Sequence, residues 1–198
     1  MKNTLITMFC LLMLFSSFST DTNPSQSFFD LLEKTKMEFK MPEGFIVGST
    51  IENNQMNYEY VIKNQDKKFE VRFAIRPLGS MIENYKEKLK NKQPGDYITD
   101  PNKYYSASFQ AITLNISDGK NASRQEFDKN AVQSEFNADW GAMTFVETGK
   151  SFSQGYKYCM MVAIHKDDCA DAYIFFMADD KEKIMELAFP AFHSLKFK

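Results

Sequence analysis

The stretch that leaves the chain least freedom is a pair of alternating runs, "MNYEYVIK" (56–63) and "KFEVRFAIR" (68–76). Met56, Tyr58, Tyr60 and Ile62 share one side of the first. Phe69, Val71, Phe73 and Ile75 share one side of the second, with Glu70, Arg72 and Arg76 opposite. A helix would scatter these apolar residues around its circumference, whereas a strand collects them on one face. Joined by Asn64-Gln65-Asp66-Lys67, the runs predict an antiparallel hairpin with one buried side and one solvated side. Pro77, with no N–H for a ladder, ends the second strand.

Helical spacing follows. Ile82, Tyr85 and Leu89 stand at i, i+3, i+7, and Tyr105, Phe109 and Ile112 form a second stripe after Asp100 as N-cap and Pro101 at the first helical turn. Asp118-Gly119 ends that helix, although "AITLNIS" also has strand character. Ser123-x-x-Glu126 reads as a capping box for a third helix carrying Phe127, Ala131, Val132 and Phe136 inward. Three strands come next, "AMTFVETGKSF", "YKYCMMVAIH" and "DAYIFFMA", the last two joined by a tight "HKDD" turn. Asp179 or Asp180 caps a final helix, which Pro190 interrupts. Hairpins with segregated helices define an α+β domain around an antiparallel sheet, not a doubly wound parallel one.

Lys2 followed by the short apolar run "TLITMFCLLMLF" and the small residues Ser17 and Ser19 reads as a secretory signal peptide over 1–19. An uncleaved anchor or a buried core helix is the alternative. Cys10 lacks the context of a lipid-modified cysteine, so the expectation is a free periplasmic or secreted protein. Residues 20–37 then form a linker and short helix, and 38–198 a single domain. Cleavage moves the net charge from −2 to −3, which gives no electrostatic footprint for nucleic acid. No membrane span is expected after cleavage. The basic run "KEKLKNK" (86–92) reads as a solvated helix face. Cys159 and Cys169 are not expected to pair. In the hairpin register they lie ~15–20 Å apart at strand rise, while a disulfide needs α-carbons within about 7 Å.

"FKMPEGF" (39–45), two hairpin-type strand groups around a central helical segment, and a closing helix followed by "FHSLKF" (192–197) resemble the PsbP-like superfamily. That group includes a Ran-binding nuclear-import factor and exported bacterial proteins of unknown role. The resemblance spans 38–198. It implies an α/β/α sandwich and protein binding without catalysis, and it supplies no catalytic residue. Photosystem and Ran partners do not transfer to a chain with this export signal.

No catalytic motif, phosphate loop or metal-ligand spacing stands out, so neither a catalytic residue nor a cofactor nor a metal is expected. His165 falls in the expected turn beside Asp167 and Asp168, and His193 reads as a half-buried ring. "EFNADWGAMTFV" (135–146) holds the single tryptophan. If its helix ends near Trp140 and Gly141 closes it in left-handed conformation, Glu135 and Asp139 share one face beside the stripe of Val132, Phe136 and Trp140. That is a complete account of an amphipathic helix. The sharper alternative has Glu135, Asp139 and Trp140 rimming a groove for a partner or small ligand, possessed by a carrier or a hydrolase-type enzyme. Tyr104 and Tyr105 cannot both face one core, so one of them reaches solvent or an interface, and Tyr104 joins Glu135, Asp139 and Trp140 as a candidate ligand- or partner-binding residue. Asn115 and Asn121 open glycosylation sequons that matter only in a eukaryote. The leading expectation is an exported accessory protein that docks to another protein.

Overall fold

The structure is a computed structural model that describes residues 24–198. The expected signal peptide lies outside the described residues. Helix α1 (Pro24–Lys34) leads into β1 (Met37–Phe39) and β2 (Phe45–Val47), then the hairpin β3 (Tyr60–Asn64) and β4 (Phe69–Pro77). Helices α2 (Gly79–Lys90) and α3 (Tyr105–Ile116) follow, separated by a 3-10 turn, Pro101–Lys103. Next come β5 (Gln125–Glu126), α4 (Lys129–Phe136), β6 (Trp140–Glu147) and the short α5 (Lys150–Ser153). The hairpin β7 (Tyr158–Lys166) and β8 (Ala170–Ala178), α6 (Ile184–Ala188) and β9 (Leu195–Phe197) complete the fold. Seven strands form one antiparallel sheet in the order β2-β3-β4-β8-β7-β6-β5, and β1 pairs with β9 in a separate ribbon.

The α+β class is as expected, and both faces of the sheet are covered, as the expected α/β/α sandwich requires; what differs is the β3–β4 hairpin, which has no fully solvated side. One face carries Tyr60, Ile62, Val71, Phe73 and Phe176 beneath α1, α4, α6 and the β1–β9 ribbon. The other carries Val61, Ala74, Met161 and Phe175 beneath Phe109, Ile112 and Ile116 of α3 and Phe152 of α5. The near-continuous apolar runs of β7 and β8 have this cause, since a strand buried on both sides has no polar face.

Three expectations change. Arg72, assigned to a solvated face, is fully buried. Its Nε donates to Glu70 Oε1 at 2.6 Å, its guanidinium to the carbonyls of Phe152 and Ser153, and its plane lies 5.1 Å from the Tyr58 ring centre. Met56 and Tyr58 belong to the α3 side and Tyr60 and Ile62 to the α1 side, because the strand begins only at Tyr60 and the alternation before it is not strand geometry. The boundary expected at 37/38 falls inside β1, and α1 is part of the domain through Phe28, which stacks on Tyr60 at 4.5 Å.

Two helix starts also differ. Ser123-x-x-Glu126 does not cap a helix, because Gln125 and Glu126 pair with Met143 and Ala142 as an edge strand. Asp128 caps α4 instead, accepting from the amides of Asn130 and Ala131. Asp100 and Pro101 begin the 3-10 turn, so α3 starts at Tyr105.

Gly141 is not a helix stop either. Asn137 takes the left-handed conformation after α4 (φ 50°), and Gly141 lies inside β6 where α4 crosses closely. A Cβ there would sit 2.8 Å from Val132 Cγ2, 3.0 Å from Phe127 Cδ2 and 3.3 Å from the Ala163 carbonyl. Gly141→Ala is expected to destabilise by about 1–3 kcal/mol through overpacking, read as a lower denaturant midpoint.

Candidate functional site

Register brings the polar residues of the α3 face together. Arg76 on β4 is opposite Asp171 on β8, Asp171 is opposite His165 on β7, and His165 is opposite Trp140 on β6. Directly opposed residues share a face, so these four form a row across the end of the sheet. The next row, Ala74, Tyr173, Ala163 and Ala142, is mostly small. It leaves volume that Phe109 and Ile112 of α3 enter.

His165 is 1% exposed. Its Nδ1 lies 2.6 Å from Asp171 Oδ1 and its Nε2 2.9 Å from Asp167 Oδ1. The expected solvated turn is corrected: β7 runs to Lys166, so a small shift of the turn moves this histidine into the ladder. Tyr105 covers the row, its ring 4.5 Å from His165 and 4.6 Å from Trp140. Burial pushes the imidazolium pKa down, but the hydrogen bonds and charges of Asp171 and Asp167 outweigh it and hold the pKa above its ordinary 6.5. A raised folded-state pKa means that the stability contributed by protonated His165 is fully present below 6.5 and is lost as pH rises through the higher folded value. The unfolding midpoint is expected to fall over that alkaline interval in the native chain and to lose this component in His165→Gln.

Beside the row, an open groove of about 510 Å³ lies where the end of β4 and the start of β8 meet the starts of α2 and α3. Met56, Leu78, Met81, Ala111 and Ile112 make it apolar, while Arg76, Asp171 and Tyr173 supply its polar groups. Burial, reinforced by the Asp171 charge, holds the Tyr173 hydroxyl well above its ordinary pKa, so it stays a neutral phenol. A second groove of about 290 Å³ adjoins, lined by Tyr85, Lys88, Tyr97 and Ile98. Met81 and Tyr104 line both.

The four residues singled out by sequence do not converge. Glu135 ends in a cleft with Phe127, Phe136 and Phe192 on the α1 side and contacts His193 Nε2 at 2.8 Å. Trp140 packs on the opposite face, against Tyr105 and Phe109. Asp139 lies beyond the end of α4 and accepts the Asp167 amide at 2.9 Å, which fixes the β7–β8 turn. The groove rimmed by these three is therefore corrected: α4 stops at Phe136, so Glu135 and Asp139 never share a helix face. Tyr104 alone lines the grooves, 37% exposed, while Tyr105 turns inward. Sequence reasoning missed Arg76, Asp171 and Tyr173, because only strand register makes them neighbours.

Both His165 nitrogens are held by carboxylates, and among the described residues no serine, threonine or cysteine side chain is hydrogen-bonded to either histidine. Burial pushes the Cys159 thiol up to about 12, which leaves no thiolate near neutrality. Cys159 and Cys169 are both free. Among the described residues no cluster of three or more His, Cys, Asp or Glu could hold a metal, and no helix is long and apolar enough to cross a membrane. No protein-family model and no curated protein matches the chain.

Proposed function

We propose that the protein is an exported, non-catalytic accessory protein of PsbP-like architecture that docks to another protein through the double groove. The observation that carries this reading is a surface groove that continues over Met81 and Tyr104 from a mainly apolar inner half into an outer half of mixed lining, where Tyr85, Tyr97 and Ile98 stand beside Asn84, Lys88 and Thr99. It lies beside a helix, α2, that buries only Ile82. A surface this open and elongated suits a segment of a partner better than an enclosed small molecule. A second reading is a small-ligand carrier. It draws on the inner groove alone, where Arg76, Asp171 and Tyr173 converge at an apolar wall.

The test is a photo-reactive residue at position 104, with a second at Phe189 on exposed surface as control, followed by cross-linking in the native host. One protein captured stoichiometrically from position 104 and not from 189 supports docking. A co-purifying small molecule displaced by Ala111→Trp in the inner groove supports the carrier and overturns docking.

A further inference from the structure

Of the charged side chains of helix α2, only Lys88 faces the outer groove; Lys86 and Lys90 share the far side with Glu83 and Glu87. Met81, Asn84, Tyr85 and Lys88 line the outer groove. Glu83 and Glu87 follow Met81 by two and six residues, so at helical spacing they fall on the opposite flank. Lys88 is therefore the charge that α2 presents to the groove, with Lys92 just beyond the helix end. The nearby loop acids are engaged by backbone amides: Asp96, itself exposed, accepts from Gln93 at 2.9 Å, and the partly buried Asp100 accepts from Asn102 at 3.0 Å. Among the described residues Lys86, Lys88, Lys90 and Lys92 form no ion pair.

The apolar side of this surface is equally unfilled. Met81 is 43% exposed and Tyr97 92%, and both line the outer groove. The groove walls are largely helical and turn side chains, not an open strand edge, so an incoming peptide finds side-chain pockets there and no ladder of free backbone donors. That favours a helix laid in a groove over an added strand.

Resting on the docking reading above, we infer that the partner presents an amphipathic helix whose apolar anchors at i, i+3 and i+7 enter the double groove while acidic residues on its flank meet Lys88 and, just beyond the helix end, Lys92. The experiment is an NMR titration of the chain from residue 20 onward with a synthetic helix bearing leucine anchors and glutamate flanks. A second peptide with the same anchors and lysine flanks is the control. The acidic peptide is expected to shift the resonances of Met81, Tyr85, Tyr97 and Tyr104. Lys88→Glu weakens it roughly fivefold and Met81→Ser about tenfold; both positions are exposed, so both variants fold. Equal or tighter binding of the lysine-flanked peptide overturns the acidic partner and leaves docking standing. Silence from both peptides overturns the inference. If decanoate alone then shifts Ala111 and Tyr173, the docking reading falls too.

Discussion

Arg72→Ala is expected to cost about 3–5 kcal/mol of folding stability, because it removes one partner from a buried ion pair. The guanidinium is fully buried with Glu70 Oε1 2.6 Å from its Nε, and it also satisfies the carbonyls of Phe152 and Ser153. Truncation leaves a carboxylate at 5% exposure whose remaining cation, Lys63 at 3.1 Å, reaches in from a half-exposed position. It also leaves two carbonyls without their donor and a cavity between the rings of Tyr58 and Phe152. The double variant Glu70→Leu/Arg72→Met separates charge from volume. Replacing both charges by apolar groups of similar size is often neutral, so the double variant recovers the part of the loss due to the stranded carboxylate and the cavity, while the carbonyls of Phe152 and Ser153 stay without their donor. Urea denaturation at constant m-value reads both numbers. A single variant within about 1 kcal/mol of the native chain would mean that the pair is not sealed as described.

Phe28→Ala is expected to cost about 3–5 kcal/mol, the usual range for a large aromatic removed from a core. Phe28 has 0% exposure, lies parallel to Tyr60 at 4.5 Å and meets Phe39 and Phe73 at 5.5 and 6.0 Å. Its neighbour Phe29 is 47% exposed, and Phe29→Ala is expected to cost less than about 1 kcal/mol. The contrast measures whether α1 is integral to the domain. If 20–37 behaved as a linker, both substitutions would have equally small effects.

Local pattern was a good guide wherever an element owed its existence to its own residues. The β3–β4 hairpin, α2, α3 and the β7–β8 hairpin all form where alternation or helical spacing indicated. Pattern failed where a neighbour in space had the deciding vote. Glu70, Arg72 and Arg76 alternate like a solvated face, yet β4 lies beside β8, whose apolar run needs both faces covered. Ser123 and Glu126 satisfy a capping rule, but the free edge of β6 recruits Gln125 and Glu126 first. Glu135 and Trp140 are five residues apart in sequence and end on opposite faces of the sheet.

The sequence by itself determined an antiparallel α+β chain, the positions of its central strands and longer helices, and the absence of a recognisable catalytic motif. These follow from side-chain periodicity, which needs only a residue and its near neighbours along the chain. Only the tertiary structure decided that Arg72 is buried with Glu70, and that Arg76, Asp171, His165 and Trp140 stand in one row beside the grooves of Met81 and Tyr104. The physical reason is register: a shift of one residue in pairing sends every side chain of a strand to the other face, and that shift is set by long-range packing.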